Sequence, residues 1–137
     1  MNLKIFTDGG SRGNPGFAAC AYVVYGSENL REKSGKYLGV TTNNVAEYQG
    51  VITALKDLKN KLSLTNLDKL DFYLDSLLVV SQLKGAWKVK DAGLKPLVLE
   101  INNLTRDLNV SWNFVPREQN KEADLLVNNI LDNHGTA

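Results

Sequence analysis

Several residue types that define whole classes of protein are scarce here. There is one cysteine, Cys20, among 137 residues, so an internal disulfide is excluded, and its apolar surroundings read as core filler. The single histidine, His134, lies among final residues expected to fray from about Asn133, where fixed catalytic geometry is rare. No excess of one charge exists: 16 Lys and Arg face 15 Asp and Glu, for a net +1. A nucleic-acid partner would therefore have to be held by a local patch, since no global basic signal is present. No apolar run reaches transmembrane length, and Met1-Asn2-Leu3-Lys4-Ile5-Phe6 lacks the long apolar stretch of a signal peptide. A cytoplasmic protein with no membrane association is expected. Internal repeats, low-complexity tracts and linkers are also missing, so residues 1–137 are expected to form one domain. With 43% hydrophobic residues, that domain can bury a real core.

The remaining pattern is organised around Phe6-Thr7-Asp8-Gly9-Gly10-Ser11-Arg12-Gly13-Asn14-Pro15-Gly16. It reads as a strand over 3–7, a glycine-rich turn, and a second strand over 17–25, with Asp8 at the end of the first. The second stretch, FAACAYVVY, is nearly continuously apolar, as a strand buried on both faces would be. A turn over 26–29 leads to a more polar edge strand over 30–38, where Lys33 and Lys36 discourage further pairing. Helical spacing follows at Val51, Ile52, Leu55 and Leu58, with Asn44 as the expected N-cap and Glu47 projecting from the first turn toward the core side. Residues 69–74 alternate as a strand, and Asp75-Ser76 can cap a helix over 77–83. An irregular segment over 85–93 precedes a helix over 94–108, whose Pro96 is tolerated in the first turn. A last strand over 110–115 and a loop over 116–119 lead to a helix capped by Asn120. That helix shows Ala123, Val127, Ile130 and Leu131 on one face, with Asp124 sharing it.

The order β-β-β-α-β-α-α-β-α predicts an α/β fold. Three antiparallel strands and two parallel ones would form a five-stranded mixed sheet with helices packed on its faces.

Each of Asp8, Glu47, Asp75 and Asp124 has a bland explanation alone. Asp8 precedes Gly-Gly as turn residues do, and Glu47 stands three after Asn44 as in a capping box. Asp75 can be an N-cap, and Asp124 suits a helix dipole. Together they fit less well with that view. Two stand at the ends of apolar strands and two on core-facing first turns. Buried carboxylates in a cluster raise each other's pKa and call for a cation. Oxygen donors without nearby His or Cys suit Mg²⁺ or Mn²⁺. An all-oxygen site for two ions is the arrangement for phosphodiester hydrolysis.

The motifs Phe6-Thr7-Asp8-Gly9-Gly10-Ser11 with Gly13-Asn14-Pro15-Gly16, Thr42-Asn43-Asn44-Val45-Ala46-Glu47, Leu74-Asp75-Ser76 and Asn120-Lys121-Glu122-Ala123-Asp124 stand in one order across nearly the whole chain. In that order and spacing the sequence resembles the type 1 ribonuclease H family. The resemblance implies a ribonuclease H-like fold and metal-dependent cleavage of the RNA strand of an RNA/DNA hybrid. By the same resemblance Asp8, Glu47, Asp75 and Asp124 are the catalytic metal ligands for two Mg²⁺ ions, with Mn²⁺ as a substitute. Gly9, Ser11, Asn14, Asn43 and Asn44 would meet the 2′-hydroxyls and phosphates.

Three departures from the family pattern accompany it. Bacterial relatives often carry a histidine in the loop before the last helix. Here that loop is Val115-Pro116-Arg117-Glu118-Gln119, similar to the archaeal-type branch, and Arg117 can hold a phosphate or a water but cannot act as a base. The large basic protrusion of some relatives is reduced to residues 84–95, which still offer Lys84, Lys88, Lys90 and Lys95 around Trp87. Trp87 and Lys88 are candidate phosphate contacts, and a solvated loop over a core tryptophan is the alternative. Leu77 replaces the polar residue that many relatives place two after the third acid. A monomer with no obligate protein partner is expected. A catalytically dead binding module, or a nuclease acting on DNA junctions or 3′ ends, are the competing functions.

Overall fold

The computed structural model describes residues 1–26 and 29–134, without the side chains of 29–31. Strand β1 (Asn2–Gly13) pairs antiparallel with β2 (Gly16–Gly26), which pairs antiparallel with β3 (Asn29–Thr41). On its other side β1 pairs parallel with β4 (Lys69–Leu74), and β4 with β5 (Asn109–Phe114). The five-stranded mixed sheet has the order β3-β2-β1-β4-β5, so the expected architecture holds and β3 is an edge. Helices α1 (Asn43–Lys61), α2 (Leu77–Leu83) and α3 (Lys95–Thr105) pack on one face. Helix α4 (Lys121–His134) packs on the other.

The pleat explains this division. Along β2, Tyr22 and Val24 join the main core with Leu55 of α1 and Phe72 of β4. Their neighbours Ala19 and Ala21 point oppositely and meet Val127 and Leu131 of α4. Burial on both faces accounts for the uninterrupted apolar run of β2. In β4 the alternation is clean, with Leu70, Phe72 and Leu74 buried and Lys69 exposed. Cys20 is fully buried beside Thr53 and is core filler as expected.

Several boundaries differ from the sequence expectation. Strand β1 does not stop at Thr7. Its pairing with β2 continues from Leu3↔Gly26 to Gly13↔Gly16, so the turn is confined to Gly13-Asn14-Pro15-Gly16. Gly13 supplies the φ of 96° needed there. Asp8 therefore lies within β1, though just past the last parallel pair with β4, Phe6↔Tyr73. Helix α1 is capped by Thr42 and not Asn44: the Thr42 hydroxyl accepts from Val45 N at 3.2 Å. Ser76, not Asp75, caps α2 through Val79 N at 3.3 Å. Helix α3 ends at Thr105, and a turn through Leu108 N→Thr105 O brings the chain into β5. Asn133 and His134 are helical and not frayed, and the His134 ring stacks on Tyr37. The turn expected over 26–29 includes Ser27 and Glu28, which lie outside the described residues, as do 135–137.

Candidate active site

The end of the sheet where β1 outruns β4 collects the acids. Asp8 is carried by β1, and Asp75 follows the last residue of β4. Glu47 comes from the second turn of α1. Because Thr42 is the cap, Glu47 is too far along the helix for a capping box. Instead its Oε1 accepts from Gly9 N at 3.1 Å, which joins α1 to β1 beside Asp8. That approach needs a residue without a side chain, since a Cβ on Gly9 would stand 2.1 Å from Ala46 O. Carboxylate oxygens of Asp8, Glu47 and Asp75 all lie within 4.8 Å of one another. Asp124, in the first turn of α4, lines the same cleft but stands outside this close trio.

The cleft encloses about 650 Å³. Of the residues expected to meet substrate, Gly9, Ser11, Asn43, Asn44 and Arg117 line it. The wall is pre-formed: Asn43 Oδ1 accepts from Ser11 N at 2.8 Å, and Asn14 Oδ1 accepts from Asn43 N at 3.0 Å. Asn14 thus braces the wall from behind and does not line the cleft. Trp87 and Lys88 also lie outside the cleft lining, on the exposed segment after α2. Trp87 is 47% exposed, which corrects the alternative that it fills the core. His134 sits ten residues beyond Asp124, about 15 Å along the helix, and is remote from the acids.

The sequence reading missed Arg12, Asn128 and Asn120. Arg12 and Asn128 line the cleft, with Arg12 held by Asp132 at 2.7 Å. Asn128 follows Asp124 by one helical turn, a spacing that could have revealed it. Asn120 is buried and occupies the expected cap position, but its side chain does not cap. Its Nδ2 donates to Thr7 O at 2.9 Å, and its Oδ1 has no hydrogen-bond partner.

Burial is the main cause raising the pKa values of the three gathered acids. Asp8 is pushed up to about 7, against a lowering hydrogen bond with Glu47, and the charges of Asp75 and Asp124 push it further. Glu47 is held well above its ordinary range by burial and then by Asp8. Asp75 is raised by burial, while Asn120 and then Arg117 pull it down. The second Glu47 oxygen, Oε2, is buried without a partner. An all-oxygen donor set, mutual repulsion and an orphaned carboxylate oxygen fit a hard divalent cation.

A stability consequence follows. A raised carboxyl pKa means that the contribution of Asp8 to the stability of the metal-free fold is full below about 3.8 and is lost as pH climbs through about 7. In chelator, Asp8→Asn is expected to be more stable than the native protein at pH 8 by roughly 2 kcal/mol, with no advantage at pH 4. The full linkage value is not reached because Asp8 and Glu47 share the effect. Urea unfolding at the two pH values measures it, and equal differences at both would contradict it.

The chain matches the family described as Reverse transcriptase-like over residues 6–130. It is 42% identical over 137 residues to the "Bifunctional protein Rv2228c" of Mycobacterium tuberculosis, covering 96% of this chain and 36% of that protein. The chain thus spans about a third of the length of that relative. The crystal structure of RNase H1 from the halophilic archaeon Halobacterium salinarum superposes with a TM-score of 0.87 at 34% identity, covering 97% of this chain and 99% of that one. The crystal structure of LC11-RNase H1 in complex with RNA/DNA hybrid gives 0.85 at 38% identity, covering 96% and 97%.

Proposed function

The chain belongs to the type 1 ribonuclease H family, and on that premise we propose that it is a metal-dependent endoribonuclease hydrolysing the RNA strand of RNA/DNA hybrids. The observation that carries the reading is the meeting of Asp8, Glu47 and Asp75 within 4.8 Å, in a cleft whose wall also bears Asp124. Asp8, Glu47, Asp75 and Asp124 would hold two Mg²⁺ ions, for which Mn²⁺ can substitute. Bound there, such ions supply an activated water and charge stabilisation for the leaving 3′ oxygen.

The chain's own residues do the rest. Gly9 and Gly10 and the side chains of Ser11, Asn43 and Asn44 line one polar wall. Amide and hydroxyl groups that both donate and accept suit 2′-hydroxyls, which is how RNA is told from DNA. Asn14 keeps Asn43 in place. Arg117 offers a phosphate the charge and donors of its guanidinium. Trp87 and Lys88, exposed beyond the cleft, would meet the duplex farther along. With Asp8 held up at about 7 and Glu47 also raised, protons compete with cations, so metal affinity rises as pH climbs through about 7.

The same proposal takes these residues as one domain acting as a monomer in the cytoplasm. Lys33 on edge strand β3 is exposed, which discourages edge pairing. Among the described residues no helix is long and apolar enough to cross a membrane. The decisive test incubates the protein with a labelled RNA/DNA hybrid, with and without Mg²⁺ or Mn²⁺, beside all-DNA and all-RNA duplexes. Metal-dependent cutting of the hybrid's RNA strand alone is expected. Binding without cutting would replace the reading with a binding module.

A further inference from the structure

Asn120 is 1% exposed and carries no charge, yet it bonds to β1 and starts α4, two of the elements that carry the acids. Past the pair Phe6↔Tyr73, β4 no longer accompanies β1. The Thr7 carbonyl lies just beyond that point and accepts the Asn120 amide at 2.9 Å, so the side chain extends the ladder where β4 has turned away. Thr7 immediately precedes Asp8. The backbone carbonyl of Asn120 accepts from Asp124 N at 3.1 Å, the bond that starts α4. The Asn120 side chain also pulls down the pKa of the Asp75 carboxyl, which burial raises.

We propose that Asn120 is a positioning residue that sets the distance between Asp8 and Asp124, its side chain fixing β1 and its main chain fixing the first turn of α4. Residue size and chemistry support this. Serine is too short to span from α4 to Thr7 O. Aspartate would aim an acceptor at a carbonyl and a carboxylate. Glutamine would push α4 outward in a site packed on both sides. The buried amide is retained although its Oδ1 is unpaired, a cost that a cap alone does not explain. The inference rests on the proposed metal-dependent cleavage, and its test separates the two.

Asn120→Ala is expected to lower kcat on hybrid at saturating Mg²⁺ by about 10- to 100-fold, the usual effect of removing a partner of metal ligands, with KM changed less than about twofold. Without hybrid, a titration that follows free Mn²⁺ by electron paramagnetic resonance is expected to show about tenfold weaker binding. A folded Asn120→Ala with native kcat and native Mn²⁺ binding, even at lowered Tm, overturns the inference while leaving the function intact. A native protein that neither binds Mn²⁺ nor cuts hybrid overturns the function itself. Should the variant not fold, the native protein decides by NMR. The Asn120 side-chain amide protons are expected to exchange slowly with water and to shift on Mg²⁺ addition, and free exchange with no shift overturns the inference.

Discussion

Asp75→Asn is expected to reduce hybrid cleavage by at least about a thousandfold while leaving the fold in place. Electrostatic stabilisation by metal ions is worth several kcal/mol in the transition state, and about 4 kcal/mol corresponds to a thousandfold in rate. The asparagine is isosteric, so packing at the end of β4 is kept. Helix α2 does not depend on the lost carboxylate, because Ser76 provides the cap. The change also removes a charge facing Asp8, whose pKa the Asp75 charge raises. Unfolding by urea should therefore show equal or slightly higher stability. Single-turnover rates at saturating Mg²⁺ give the test, and activity within tenfold of native would remove Asp75 from the machinery.

Gly9→Ala is expected to cost at least about 3 kcal/mol of stability and to abolish activity, whereas Gly10→Ala should be nearly neutral in stability. A Cβ at Gly9 would meet Ala46 O at 2.1 Å and Glu47 N at 2.6 Å, both backbone atoms of α1. Backbone of a packed helix cannot step aside as a side-chain tip can, so α1 must move off β1 as a body. That movement breaks the bond from Gly9 N to Glu47 Oε1 and takes Glu47 out of the trio. At Gly10 the nearest atoms are 3.9 Å away, ordinary contact distance. Chemical denaturation of both variants measures the contrast. Equal stabilities would mean that α1 does not need its close approach to β1.

Those two glycines show where the sequence stops being legible. Gly9-Gly10 reads as a turn, and nothing local marks one glycine as indispensable. The space is taken by α1, which arrives 37 residues later. The cap of α1 is similar. Thr41-Thr42-Asn43-Asn44 contains four competent cap residues, and tertiary bonds decide. Asn43 is engaged by Ser11 and Asn14, which leaves the capping to Thr42. By contrast β4 was readable to the residue, because the alternation of Leu70, Phe72 and Leu74 is a local imprint of one buried face. Asp75 and Asp124 were readable because they stand at the end of β4 and in the first turn of α4, whereas Asp8 and Glu47 were readable through the motifs around them. The closeness of three of them relative to Asp124, and the buried work of Asn120, depend on where α4 lands. No periodicity encodes that.

Helix α4 is held by a cluster separate from the main core, in which Ala19 and Ala21 receive Val127 and Leu131. Tyr37, Leu126 and Ile130 are only partly buried around them, so this docking buries less apolar area than the main core beneath α1. Local opening of α4 should therefore require less free energy than global unfolding. Warming would then release Asp124 while the sheet and the other acids remain in place. Loss of catalysis is then expected to precede melting and to reverse on cooling, which would make the last helix a thermal cut-out.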